Sequence, residues 1–149
     1  MATDCIAQVT FNFDPKRKPV VAAFDTEHAS SDGGAILLKG IDTQLGLTKR
    51  LAACLQDERQ PGKIQHQTLE LFRQRVFGIA CGYADCNDAA RLADDAIHKL
   101  LVDRDPIAGP ALASQPTLSR FENTVGWREV LTMGHRLAET VIEHHRRRL

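Results

Sequence analysis

Charge of one sign is what this chain most conspicuously lacks: 19 Lys and Arg stand against 19 Asp and Glu in 149 residues. A balanced chain sets up no global field that would draw it to nucleic acid or to a membrane, so any anion-binding surface has to be a local patch. Apolar runs are only a few residues long, which excludes a spanning helix. The N-terminus, MATDCIAQVTFNF, has no basic start followed by an apolar stretch, so no secretion signal is expected. Cysteine is sparse and unpatterned: Cys81 and Cys86 are five apart with no second pair, which argues against zinc. Together with Cys5 and Cys54 they fit reduced thiols in a cytoplasm. His135, His144 and His145 fall on a charged helical segment and read as solvated, so no metal site is expected.

Catalytic groupings are missing too. Six Asp lie between positions 85 and 105, accompanied by Arg91, Lys99 and Arg104. Their spacing reads as helix ends and caps, not as carboxylates converging on a pair of metals. No nucleophile stands with a partnered base. SDGGAILL lacks the Lys and the spacing of a phosphate-binding loop. No catalytic residue is therefore assigned, and the chain is not expected to be an enzyme on its own.

What is present begins with a strand pattern. QVTFNF alternates, Val9, Phe11 and Phe13 on one face and Gln8, Thr10 and Asn12 on the other. A turn bearing Lys16, Arg17 and Lys18 leads into VVAAF, so residues 1–24 read as a β-hairpin arm. Beyond it the period becomes helical. Ser31 is placed to cap a first helix, with Asp32 in its first turn, an apolar stripe of Leu37, Leu38, Ile41 and Leu45, and Gly46 as its stop. LTKRLAACLQ gives a second helix. Leu69, Phe72, Val76, Ile79 and Tyr83 mark a third over roughly 66–82. Asn87 is placed to cap a fourth carrying Leu92, Ala96 and Leu100. DRDPIAGPALASQP holds three of the six prolines and reads as a loop. A short helix follows, then a last one from about Trp127 with Leu131, Gly134, Leu137, Ala138, Val141 and Ile142 inward, ending in HHRRRL. The fold class is mainly α. A small N-terminal hairpin precedes a bundle of about five to six helices (residues 25–149) with a helix-turn-helix-like element, in one domain of 149 residues.

The short helix carries the chemistry. In LASQPTLSRFEN, Ser114 is placed as the N-cap, and Gln115 and Pro116 occupy the first turn, where proline is well tolerated. Leu118 and Phe121 pack down, leaving Ser119, Arg120 and Asn123 outside. A helix N-terminus with free N–H groups, hydroxyls and one Arg suits a phosphate backbone, and Arg and Gln read guanine and adenine edges. The DNA-contacting set expected from this pattern is Ser114, Gln115, Thr117, Ser119, Arg120 and Asn123. Arg73 and Arg75, on the third helix, are candidates to join it. The rival reading is a capped helix that plugs the core with Leu118 and Phe121.

The string resembles the recognition helix of the lac-repressor family, in which Ser, two variable readers, Thr, an apolar anchor, Ser and Arg follow one another. That resemblance implies that Gln115, Pro116 and Arg120 face bases while Ser114, Thr117 and Ser119 face phosphates. Pro116 departs from the pattern because it donates no side-chain hydrogen bond. The proline-rich loop of about ten residues ahead of the motif departs from a tight helix-turn-helix.

On a longer scale, FDTEHASSDGGAILLKGIDTQLGL, QTLELFRQRVFGIACGYADCNDAARLADD and LASQPTLSRFEN, in this order and spacing, resemble bacterial insertion-sequence transposases of the DDE type, the insertion-sequence thirteen-eighty family. The likeness spans residues 24–149. It implies that three catalytic carboxylates, in an RNase-H-like fold binding two divalent ions of the magnesium kind, lie downstream of Leu149, with no cofactor in this chain. It further implies a module that recognises terminal inverted repeats on double-stranded DNA and pairs two subunits in a bacterial cytoplasm, at the nucleoid when bound. Two alternatives stay open: a helical dimerisation module without DNA contact, and a truncated copy that interferes with the intact enzyme.

Overall fold

The computed structural model describes residues 9–12, 19–22 and 29–147. Gln8, Phe13, the basic turn Lys16 to Lys18, Cys5 and Arg148 lie outside them. β1 (Val9–Phe11) pairs antiparallel with β2 (Val20–Ala22), with Thr10 opposite Val21 and Phe11 opposite Val20. Phe11 and Val20 share the half-buried face while Thr10 and Val21 are exposed, as the alternation requires.

Seven α-helices follow among the described residues: α1 (Ala35–Leu45), α2 (Leu47–Ala52), α3 (Thr68–Ala80), α4 (Ala89–Leu92), α5 (Ala96–Leu101), α6 (Gln115–Thr124) and α7 (Trp127–Arg146). The expected fourth helix is two. Asp95 turns extended and its carboxylate accepts the His98 N–H at 3.0 Å, so it caps α5 and breaks the run after α4. Gly46 ends α1 in the left-handed conformation, φ 63°, which a residue without Cβ adopts freely. Ser31 does not cap α1. The helix starts three residues after Asp32, whose side chain is taken by Tyr83 and His98 instead.

α3 is the centre of the molecule. Leu71 belongs to a core cluster with Cys86, Ala89, Ala113 and Leu118, and Phe77 belongs to a second with Ala35 and Leu101. The apolar stripes read from the sequence are only partly the buried ones. α1 buries Ala35, Ile36, Lys39, Gly40 and Asp42 and turns Leu37, Leu38 and Ile41 outward. In α3, Val76 and Ile79 are exposed as well. The reason is a polar network that turns α1: Lys39 Nζ donates to the Leu101 carbonyl and pairs with Asp103, both at 2.9 Å. Asp42 accepts the Thr48 N–H at 2.7 Å and its hydroxyl at 2.6 Å. Arg73 reaches Asp42, Asp103 and the Thr48 hydroxyl from α3. Two cations and two carboxylates thus join four segments across the interior.

α7 departs furthest from expectation. The stripe expected inward is turned out: Leu131, Gly134, Leu137, Ala138, Val141 and Ile142 are exposed, and Trp127 and Val130 join them, Trp127 at 71%. The helix meets α2 and the segment after it along a polar edge, where Glu143 pairs with Arg50 of α2 at 2.9 Å and Glu129 accepts the N–H of Gln56, beyond its end, at 2.7 Å. Thr140 is its buried residue.

Candidate nucleic-acid interface

α6 sits at the end of a loop that has its own internal bracing. Residues 102–114 separate it from α5, so the pair has no tight helix-turn-helix connection. Arg104 spans the loop, donating to the carbonyls of Pro110 and Ala111 and pairing with Glu70 at 3.2 Å. Asp105 accepts the N–H groups of Ile107 and Ala108, at 2.9 and 2.7 Å, closing a turn. Gly109 lies so close to Asp105 that a Cβ would stand 2.3 Å from its carbonyl oxygen, which explains glycine there.

The last residues before α6 are gripped by a buried amide. Gln74, on α3, donates to the Ala113 carbonyl at 2.9 Å and accepts the Ala113 N–H at 3.1 Å, mimicking one rung of a β-ladder. Leu112 donates its N–H to the Ala93 carbonyl at 2.8 Å. Leu118 is fully packed against Leu71, Cys86, Ala89 and Ala113, with Phe121 half-buried beside it. Glu122 then locks the far end of α6, accepting from Arg75 and from the Cys86 thiol, the latter at 3.3 Å. Burial, helped by that carboxylate, pushes the Cys86 thiol above its usual range. Sequence reasoning missed Gln74 and Glu122 on their helices and Arg104 in the loop, because a polar residue reads as solvated until its partner is known.

The expected contact residues fall into two groups. Ser114 is the N-cap residue in extended conformation, with its hydroxyl 3.2 Å from that of Thr117 and not on a helix N–H. Ser114, Pro116, Arg120 and Asn123 are exposed, and Gln115, Thr117 and Ser119 are half-buried. Arg120 donates through Nε to the Pro116 carbonyl at 3.0 Å, and among the described residues no carboxylate pairs with it. Arg73 and Arg75 stand apart from this set. Their side chains are only 12% and 11% exposed, and their guanidiniums are held by Asp42 and Asp103 and by Glu122 and the Ala84 and Asp85 carbonyls, respectively. Among the described residues, the candidates that lie together are those on α6 and at its cap.

A family model described as transposase DDE domain group 1 matches residues 14–149. The chain belongs to this DDE transposase family. No curated protein and no solved structure matches it. Within the family match lie the hairpin's second strand and every helix described above, so the α6 platform is an element of a transposase chain and not an appendage to one. No described helix is long and apolar enough to cross a membrane.

Proposed function

We propose that this chain is the N-terminal, end-recognising region of an insertion-sequence transposase of the thirteen-eighty group, and that α6 contacts the terminal inverted repeat. The observation that carries this reading is the asymmetry of α6. Its back is fixed by Leu118, Gln74 and Glu122, while its front offers Arg120, which pairs with no carboxylate among the described residues, beside the hydroxyls of Ser114, Thr117 and Ser119. A guanidinium held by one backbone carbonyl on a seated helix keeps its remaining N–H donors for a phosphate or a guanine edge. In this reading Arg73 and Arg75 hold the platform and do not touch DNA. Catalysis belongs to carboxylates outside this chain, with the two divalent ions they bind. Fluorescence anisotropy with a duplex carrying the terminal repeat, against a scrambled duplex, tests it. The repeat is expected to bind more tightly, whereas equal binding of both, or none at low salt, would overturn end recognition.

A second reading rests on α7. Six large apolar residues exposed along one 20-residue helix form a face of the kind that a partner covers. We propose that this face pairs two subunits. Sedimentation of the wild-type chain should reveal a concentration-dependent dimer that Leu131→Glu dissolves; a monomer at every concentration would count against pairing through α7.

A further inference from the structure

We propose that Asp32, Cys81 and His98 form a binding site for a zinc-class divalent ion, with water completing the coordination. The three residues come from separate elements. Asp32 lies in the turn ahead of α1, Cys81 is the C-cap of α3, and His98 is on α5. A carboxylate oxygen, the thiol sulfur and an imidazole nitrogen lie within 4.8 Å of one another. Zinc bonds of about 2.0–2.3 Å place tetrahedral ligand atoms roughly 3.3–3.8 Å apart, so small side-chain rotations close the site. Asp32 Oδ2 and His98 Nε2 are 2.9 Å apart and would separate slightly as the ion replaces the proton they share. One thiolate, one imidazole and one carboxylate suit zinc or its cobalt substitute. Magnesium, which takes oxygen donors, is excluded by the sulfur.

The surroundings are those of a tuned site. The Tyr83 hydroxyl donates to Asp32 Oδ2 at 2.9 Å, and its ring packs edge-on to the His98 imidazole with centroids 5.6 Å apart. Asp95 accepts the His98 backbone N–H, fixing the start of α5. Partners of this kind orient ligands. Cys81 is a free cysteine, in no disulfide. Coordination then forms the metal–sulfur bond and breaks the S–H bond, releasing one proton to solvent. The ion staples the segment before α1 to the ends of α3 and α5, across 66 residues of chain between Asp32 and His98. None of this depends on DNA binding by α6.

Cobalt(II) is the probe, titrated into the full chain after treatment with a chelator, with zinc affinity then measured by competition. One equivalent should produce a thiolate-to-cobalt charge-transfer band. Cys81→Ser should abolish the band and weaken zinc binding by at least about tenfold. The triple variant Cys5→Ser, Cys54→Ser, Cys86→Ser should keep both. Asp32→Asn should weaken zinc in the same way, which reads the site even if Cys81→Ser fails to fold. Absence of the band in the wild type, or its persistence in Cys81→Ser, would overturn the proposal.

Discussion

Arg73→Ala is expected to cost about 3–5 kcal/mol of folding stability, the range for removing one partner of a buried ion pair. The reason lies in what remains. Asp42 is buried and loses its guanidinium partner while Thr48 stays bonded to it, and Asp103 loses one of its two cations while Lys39 stays. With Lys39 and Arg73 balancing Asp42 and Asp103, the network is neutral; without Arg73 it carries an unmatched negative charge. A domain of this size is stable by about 5–15 kcal/mol, so the loss takes a large share. Urea denaturation reads it directly. The pair Arg73→Met with Asp42→Leu should recover much of it, because replacing both charges removes the desolvation cost as well as the attraction. A loss under about 1 kcal/mol for Arg73→Ala would mean that the network is solvated and weak.

Leu118→Ala should cost about 2–5 kcal/mol, the price of a cavity where a buried leucine had been. Leu118 is 2% exposed, and the residues around it come from α3, from the start of α4 and from the chain before α6. These are fixed by Gln74 and Arg75, so they have little freedom to collapse into the space. The variant should still fold at low temperature and should lose DNA binding as α6 loosens. Thermal unfolding followed by circular dichroism checks the first expectation, and anisotropy the second. A shift in melting temperature indistinguishable from zero would show that α6 is seated by its polar contacts alone.

Much of the fold was legible. Gly46, Ser114 at the head of α6 and the start of α7 at Trp127 followed from turn chemistry and period, and the hairpin from strict alternation. Which face each helix buries was far less legible. Hydropathy marks Leu37, Leu38 and Ile41 as the inner stripe of α1, but Lys39 and Asp42 turn the helix the other way because Asp103, Leu101 and Thr48 offer them partners. Those partners are distant in sequence, and no local pattern announces them. The same holds at the site. The α6 motif is contiguous and could be read, whereas Arg73 and Arg75 looked like surface cations until Asp42 and Glu122 were seen to hold them. Asp32, Cys81 and His98 escaped for that reason too: the cysteine spacing that points away from zinc considers only near neighbours.

The central claim is that the outer face of α6 reads DNA, and Arg120 tests it with least disturbance because it is exposed and its substitution leaves the core intact. The measurement is anisotropy of wild type and Arg120→Ala on the terminal repeat and on scrambled duplex, across a series of salt concentrations. Loss of a base contact should weaken binding to the repeat by about 1–3 kcal/mol and erase the preference over scrambled DNA. Loss of a phosphate contact should instead weaken both duplexes equally and lower the salt slope by about 1. Either result places Arg120 at the interface, and the first assigns it to sequence reading. Identical affinities and slopes for the two proteins would contradict the account and leave α6 as a plug in the core.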